Sequence, residues 1–100
     1  MIDWTRVAGF VWDAGDERKS VDKHGVRQTE AEQAFFNQPL LVLEDERHSA
    51  DERRFHALGR TEAGRRLHMT FTLRREGSLV RVISARDMSA RERAIHDKSA

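Results

Sequence analysis

Arg66-Leu67-His68-Met69-Thr70-Phe71-Thr72-Leu73-Arg74 alternates without a break. Leu67, Met69, Phe71 and Leu73 fall on one side of an extended chain, and Arg66, His68, Thr70, Thr72 and Arg74 on the other, the period of a half-buried strand. Arg75-Glu76-Gly77-Ser78 supplies a turn, and Leu79 to Ala85 returns as an antiparallel partner. The hairpin predicts a sheet with one apolar face and one polar, partly basic face.

Further elements extend outward from it. Arg54 to Gly59 and Leu40 to Glu44 read as strands around a polar loop, Asp45 to Asp51, and Phe10-Val11-Trp12 as a short first strand. Glu17 to His24 reads as a helix with Asp13 or Asp16 as N-cap, ended by Gly25 and covered by Val26. Thr29 and Glu32 have capping-box spacing before the stripe Ala31, Ala34, Phe35, and Asn37-Gln38-Pro39 stops that helix. Ser89 and Glu92 repeat the spacing and open a last helix through Lys98. The order β-α-α-β-β-β-β-α predicts an α+β two-layer domain, a twisted, mainly antiparallel sheet with helices packed on one face. The other face, carrying His68, Thr70 and Thr72, is left to bind something; a one-residue slip in register would exchange the two faces.

One hundred residues suit a single domain over 1–100, with residues 1–9 as an N-terminal extension. The chain has no cysteine, which excludes disulfides, thiolate ligands and a thiol nucleophile and fits a reducing cytoplasm. Leu40-Leu41-Val42-Leu43 is the longest apolar run, far short of the ~20 residues of a membrane helix. Charge is uneven: residues 1–50 carry six Lys/Arg against ten Asp/Glu, and residues 51–100 carry twelve against seven, eleven of the twelve being arginine. Arginine grips phosphate bidentately, so the bias points toward an anionic partner; a GC-rich genome accounts for it equally well.

An apolar strand has no need of arginine, so Arg81 and Arg86 in Arg81-Val82-Ile83-Ser84-Ala85-Arg86 are candidates for a phosphate site, and Arg81 alternatively for a cross-strand ion pair with Glu44 or Asp45. Lys23 and His24 either transfer protons or complement the helix dipole before Gly25. Arg60 ends its strand, and His48, Arg54 and His68 are further polar candidates near such a face. Phe35, Phe36, Phe55 and Phe71 are expected in the core and Trp12 as a packing anchor. No zinc-type histidine pair, phosphate loop, dinucleotide fingerprint or serine elbow is present, so no metal and no cofactor is indicated.

Taken together, Phe10-Val11-Trp12-Asp13, Lys23-His24-Gly25-Val26, Asp45 with His48-Ser49, Glu52 and Arg54-Phe55, Leu58-Gly59-Arg60-Thr61, Arg81 to Arg86, and Arg91-Glu92-Arg93 resemble the BrnT family of bacterial type II toxins. The resemblance runs from Phe10 to about His96. It implies a RelE-like fold and a ribonuclease that cuts RNA, free or on the ribosome, without a metal, slowing translation and growth. It also implies a BrnA-type antitoxin that neutralises the toxin in a hetero-oligomeric complex and carries it to operator DNA. In that frame Lys23, His24, Arg60, Arg81 and Arg86 are the expected catalytic residues, and His48, Arg54 and His68 the expected substrate-binding ones. A catalytically weak antitoxin-binding protein acting in autorepression is the alternative. Two positions depart from the family pattern: Ser20 stands where asparagine is common, and Asp87 where a basic residue is common, so Asp87 is expected to neutralise part of the Arg86 site.

Overall fold

The computed structural model describes residues 2–48 and 52–99. Its elements are β1 (Gly9–Trp12), α1 (Ala14–His24), α2 (Gln28–Ala34), β2 (Leu41–Asp45), β3 (Arg54–Arg60), β4 (Arg66–Arg74), β5 (Leu79–Asp87) and α3 (Ala90–Lys98), with short 3-10 turns at Trp4–Arg6 and Glu46–His48. The order is the predicted one. The sheet runs β1-β5-β4-β3-β2, with β2 to β5 an antiparallel meander and β1 parallel to β5.

Leu67, Met69 and Phe71 are wholly buried, as their alternation predicts, and pack with Phe55, Ala57, Val80, Val82 and Ala85 beneath Val26, Ala31, Ala34 and Phe35. Phe71 meets Phe35 edge-on at 5.1 Å and lies along Phe55 at 5.4 Å between ring centroids, so aromatic packing joins α2 to the centre of the sheet. Phe36 departs from expectation: it is 74% exposed and only its edge meets Phe10. The extension before β1 is docked, with Trp4 against both Phe35 and Phe71.

Asp13 is the N-cap of α1, its carboxylate accepting from Gly15 N. Gly25 closes that helix at φ +62°, and its N–H and that of Val26 bond back to Val21 O and Ser20 O, a geometry that favours glycine. The Thr29–Glu32 box does not form. Helix α2 starts earlier, and Glu30 accepts from Arg27 N while Glu32 accepts from Trp12 Nε1 at 2.8 Å, so the nearer acid takes the cap and the other anchors β1. Ser89 and Glu92 do form their reciprocal box at the start of α3.

A residue unremarked in the sequence ties these pieces together. Arg65 donates to His24 O and Gly25 O at the end of α1, to Glu30 at the start of α2, and to Asp87 on β5 at 2.7 Å. The turn Lys23-His24-Gly25-Val26 thus presents its free carbonyls to one guanidinium. Asp87 is occupied on this side of the sheet and does not neutralise Arg86. Arg65→Ala strands four acceptors at once and is expected to lower stability by about 2 kcal/mol, read as a reduced urea midpoint; Arg65→Lys should restore only part of it.

Ser20, at the position where asparagine is the family's common residue, is buried and accepts from Ala85 N through its hydroxyl at 3.2 Å.

Helix α3 does not join α1 and α2 above the core. Its Glu92 and Ile95 line a cavity with His56, Leu58 and His68, which by alternation point away from Phe55, Ala57 and Met69. One end of the opposite face is therefore roofed by α3; on the rest of it Thr70 and Thr72 are buried, and Arg54, His56 and Arg81 are partly exposed.

Candidate functional site

That opposite face is organised by register. Arg81 pairs with Thr72, Thr72 with Arg54 and Arg54 with Asp45, forming one cross-strand row. Ser84, Thr70, His56 and Leu43 form the next, and Arg86, His68, Leu58 and Leu41 the one beyond. Arg86 lies five positions beyond Arg81, an odd offset that would place them on opposite faces of a regular strand. They share a face because the ladder shifts between Thr70 and Phe71: Ser84 faces Thr70, Val82 faces Phe71, and Ile83 is the bulged residue.

His56 occupies the middle row. Its Nε2 lies 2.8 Å from Asp45 Oδ2 and its Nδ1 3.1 Å from Thr70 Oγ1. A carboxylate only accepts, so Nε2 carries the ring proton, and Nδ1 of the neutral ring accepts from the Thr70 hydroxyl. An imidazole whose tautomer is set by a carboxylate is equipped to take up a proton and to be stabilised once charged. In the sequence His56 carries one signal, the strand alternation that puts it on the face of His68 and Arg54.

His68 is different. Burial, with the Arg86 charge beside it, pushes its pKa down to about 4, and its buried Nδ1 has no hydrogen-bond partner among the described residues. It is a neutral ring near pH 7, 5.0 Å from the His56 ring between centroids. Because its folded pKa lies below the unfolded value, the unfolded chain takes up the proton first as pH falls. Folding stability is therefore expected to drop from pH 6.5 toward 4, by on the order of 2 kcal/mol after allowance for partial exposure. Urea titrations across that range should show the slope, and His68→Gln should flatten it.

The expected catalytic residues do not gather at one point. Arg81 donates to Asp16 at 2.9 Å and to Asp13 at 3.4 Å, not to Glu44 or Asp45. Glu44 is taken instead by Arg53. Arg86 makes a bidentate pair with Glu92 at 2.8 and 3.0 Å, which holds the Glu92 carboxyl down at about 2. Arg60 donates to Gln38 O, at the end of the sheet near His96 and Asp97. Lys23 and His24 are exposed at the end of α1, on the Arg65 side. Arg54 and His68 stand on the same face as Arg81 and Arg86, His68 and Arg86 at the end roofed by α3. His48 ends a 3-10 turn after β2, and its side chain, with Ser49 to Asp51, lies outside the described residues. Among the described residues, no three His, Cys, Asp or Glu side chains group as metal ligands.

A family model described as "Ribonuclease toxin, BrnT, of type II toxin-antitoxin system" matches residues 12–92, from the end of β1 to the first turn of α3. The chain belongs to the BrnT family. Its fold is similar to the crystal structure of the Brucella abortus ribonuclease toxin BrnT, with a TM-score of 0.63 and 21% identity over 83% of this chain and 99% of that one. No curated protein sequence matches the chain. BrnT membership makes it a ribonuclease toxin of a type II toxin–antitoxin system, with RNA as substrate and an antitoxin as partner. No helix among the described residues is long and apolar enough to cross a membrane.

Proposed function

We propose that the open face of the sheet is where this BrnT toxin cleaves RNA, by attack of a 2′-hydroxyl on the adjoining phosphate and without a metal. The observation that carries the reading is His56, held by Asp45 in the row between Arg81–Arg54 and Arg86–His68. Cleavage of this kind needs a proton acceptor for the 2′-hydroxyl, positive donors for the charge growing on the phosphate, and a proton for the departing 5′-oxygen. His56 serves the first and third, with the Thr70 hydroxyl between the substrate and Nδ1. As the 2′-hydroxyl donates to Thr70 Oγ1, the threonine proton passes to the ring, and the imidazolium, stabilised by Asp45, returns a proton to the leaving oxygen. Arg81, Arg86 and Arg54 serve the second role.

Both leading arginines are engaged by carboxylates of their own chain, so RNA must compete with Asp13, Asp16 and Glu92. That observation favours a second reading, a weak enzyme whose main work is in the antitoxin complex. A BrnA-type antitoxin presenting acids to the same arginines would exclude RNA by occupying its phosphate positions, and loss of free toxin activity would restore translation and growth.

The test is cleavage of a labelled RNA, free and on translating ribosomes, in EDTA. The parent should cut, and Arg81→Ala and Arg86→Ala should each cut much more slowly while remaining folded. Loss confined to Lys23→Ala or His24→Ala would move the site to the end of α1. No cutting by the parent on either substrate would leave the antitoxin-complex role.

A further inference from the structure

Beside the His56 row, and resting on the ribonuclease reading of this face, lies a cavity of about 330 Å³ between the sheet and α3. We propose that it holds one unpaired nucleobase of the RNA strand, from a nucleotide next to the cleaved linkage.

Its composition separates it from the rest of the face. It is lined by the imidazoles of His56 and His68, the apolar side chains of Leu43, Leu58 and Ile95, and Glu92. Leu43 on β2 is 73% exposed and Ile95 on α3 is 47% exposed, two large apolar side chains bordering one opening. The volume is at the small end for ligand pockets, room for a single planar group and too little for a helix.

The chemistry around the cavity selects among planar groups. His68 shares a row with Arg86, which is paired with Glu92 of the cavity lining, so the phosphate of a nucleotide whose base enters the cavity reaches that guanidinium by displacing Glu92. Single-stranded RNA is recognised by that combination, bases laid on aromatic or imidazole faces and phosphates held by arginine. A His68 ring that stays neutral offers stacking, where a charged one would act as another phosphate ligand. An apolar side chain from a protein partner would fill the walls but would not use the imidazole pair or the arginine row.

The experiment is an NMR titration of the full chain, methyl-labelled at leucine and isoleucine, with each of the four nucleoside 5′-monophosphates and with ribose 5-phosphate. The methyls of Leu43, Leu58 and Ile95 should shift with the nucleotides, to different extents for different bases, and not with ribose 5-phosphate. Leu43→Ser and Ile95→Ser, both at exposed positions and checked by thermal unfolding, should weaken nucleotide binding by about tenfold and leave that of ribose 5-phosphate unchanged. Equal responses to nucleotides and ribose 5-phosphate, or none, would overturn the proposal. So would methyl shifts produced only by the antitoxin, which would make the cavity a protein contact. Cleavage is read on the same preparation: base-dependent shifts without cleavage remove the ribonuclease reading and keep the pocket, and cleavage without such shifts does the reverse.

Discussion

His56→Gln is expected to lower RNA cleavage by about 10²-fold or more, since a positioned general acid–base contributes on that scale. Glutamine keeps a polar side chain near Asp45 and Thr70 but cannot carry a proton between them. The urea midpoint should change much less than the rate, because the ring is partly exposed and replaces no core packing. Asp45→Asn should give a smaller fall, since the imidazole stays while its tautomer and charge lose support. Single-turnover cleavage of a short RNA is the measurement. A His56→Gln protein that cuts as fast as the parent would show that proton transfer belongs elsewhere, with Lys23 and His24 the next residues to substitute.

The second large effect concerns stability. Gly59 points toward α2, and a Cβ placed on it would lie 2.5 Å from Ala34 O, 3.3 Å from Ala34 C and 3.2 Å from Leu40 Cδ1. Two of those atoms are backbone, so Gly59→Ala must push the end of α2 away from β3 rather than turn a side chain aside. Overpacking of this kind is expected to cost about 3 kcal/mol, a large share of a small domain's stability. The melting temperature should fall on the order of 15 °C. A loss below about 1 kcal/mol would show that α2 slides on the sheet at little cost. The Leu58-Gly59-Arg60-Thr61 motif then has a packing role apart from anything Arg60 does.

What was legible in the sequence follows the range of the forces involved. Alternation from Arg66 to Arg74 announced a strand and its buried face because a two-residue period is a local property, and Gly25 and Ser89-Glu92 marked helix ends by bonds within a few residues. Long-range partners were not legible. Arg65 reaches carbonyls about forty residues away, and Arg81 finds Asp13 and Asp16 because β1 runs parallel beside β5. His56 meets Asp45 only once β2 and β3 are in register. Phe36 looked like core beside Phe35, yet consecutive residues at a helix end leave in different directions and only one of them can enter.

The bulge at Ile83 carries a consequence of another order. Ile83 itself offers no charge, no hydrogen-bonding side chain and no turn chemistry, yet it decides that Arg81 and Arg86 face the same way. Deleting it would leave composition, charge and hydropathy almost unaltered. It would also restore the regular ladder and, with an offset of four in place of five, keep both guanidinium groups on one face. It is the offset of five without a bulge that would force one of them toward the apolar layer under α1 and α2. The basic face is therefore encoded partly as a count, odd or even: an odd offset between those arginines needs a bulge to present them together, and a homologue one residue shorter between them would present the same surface from a straight strand.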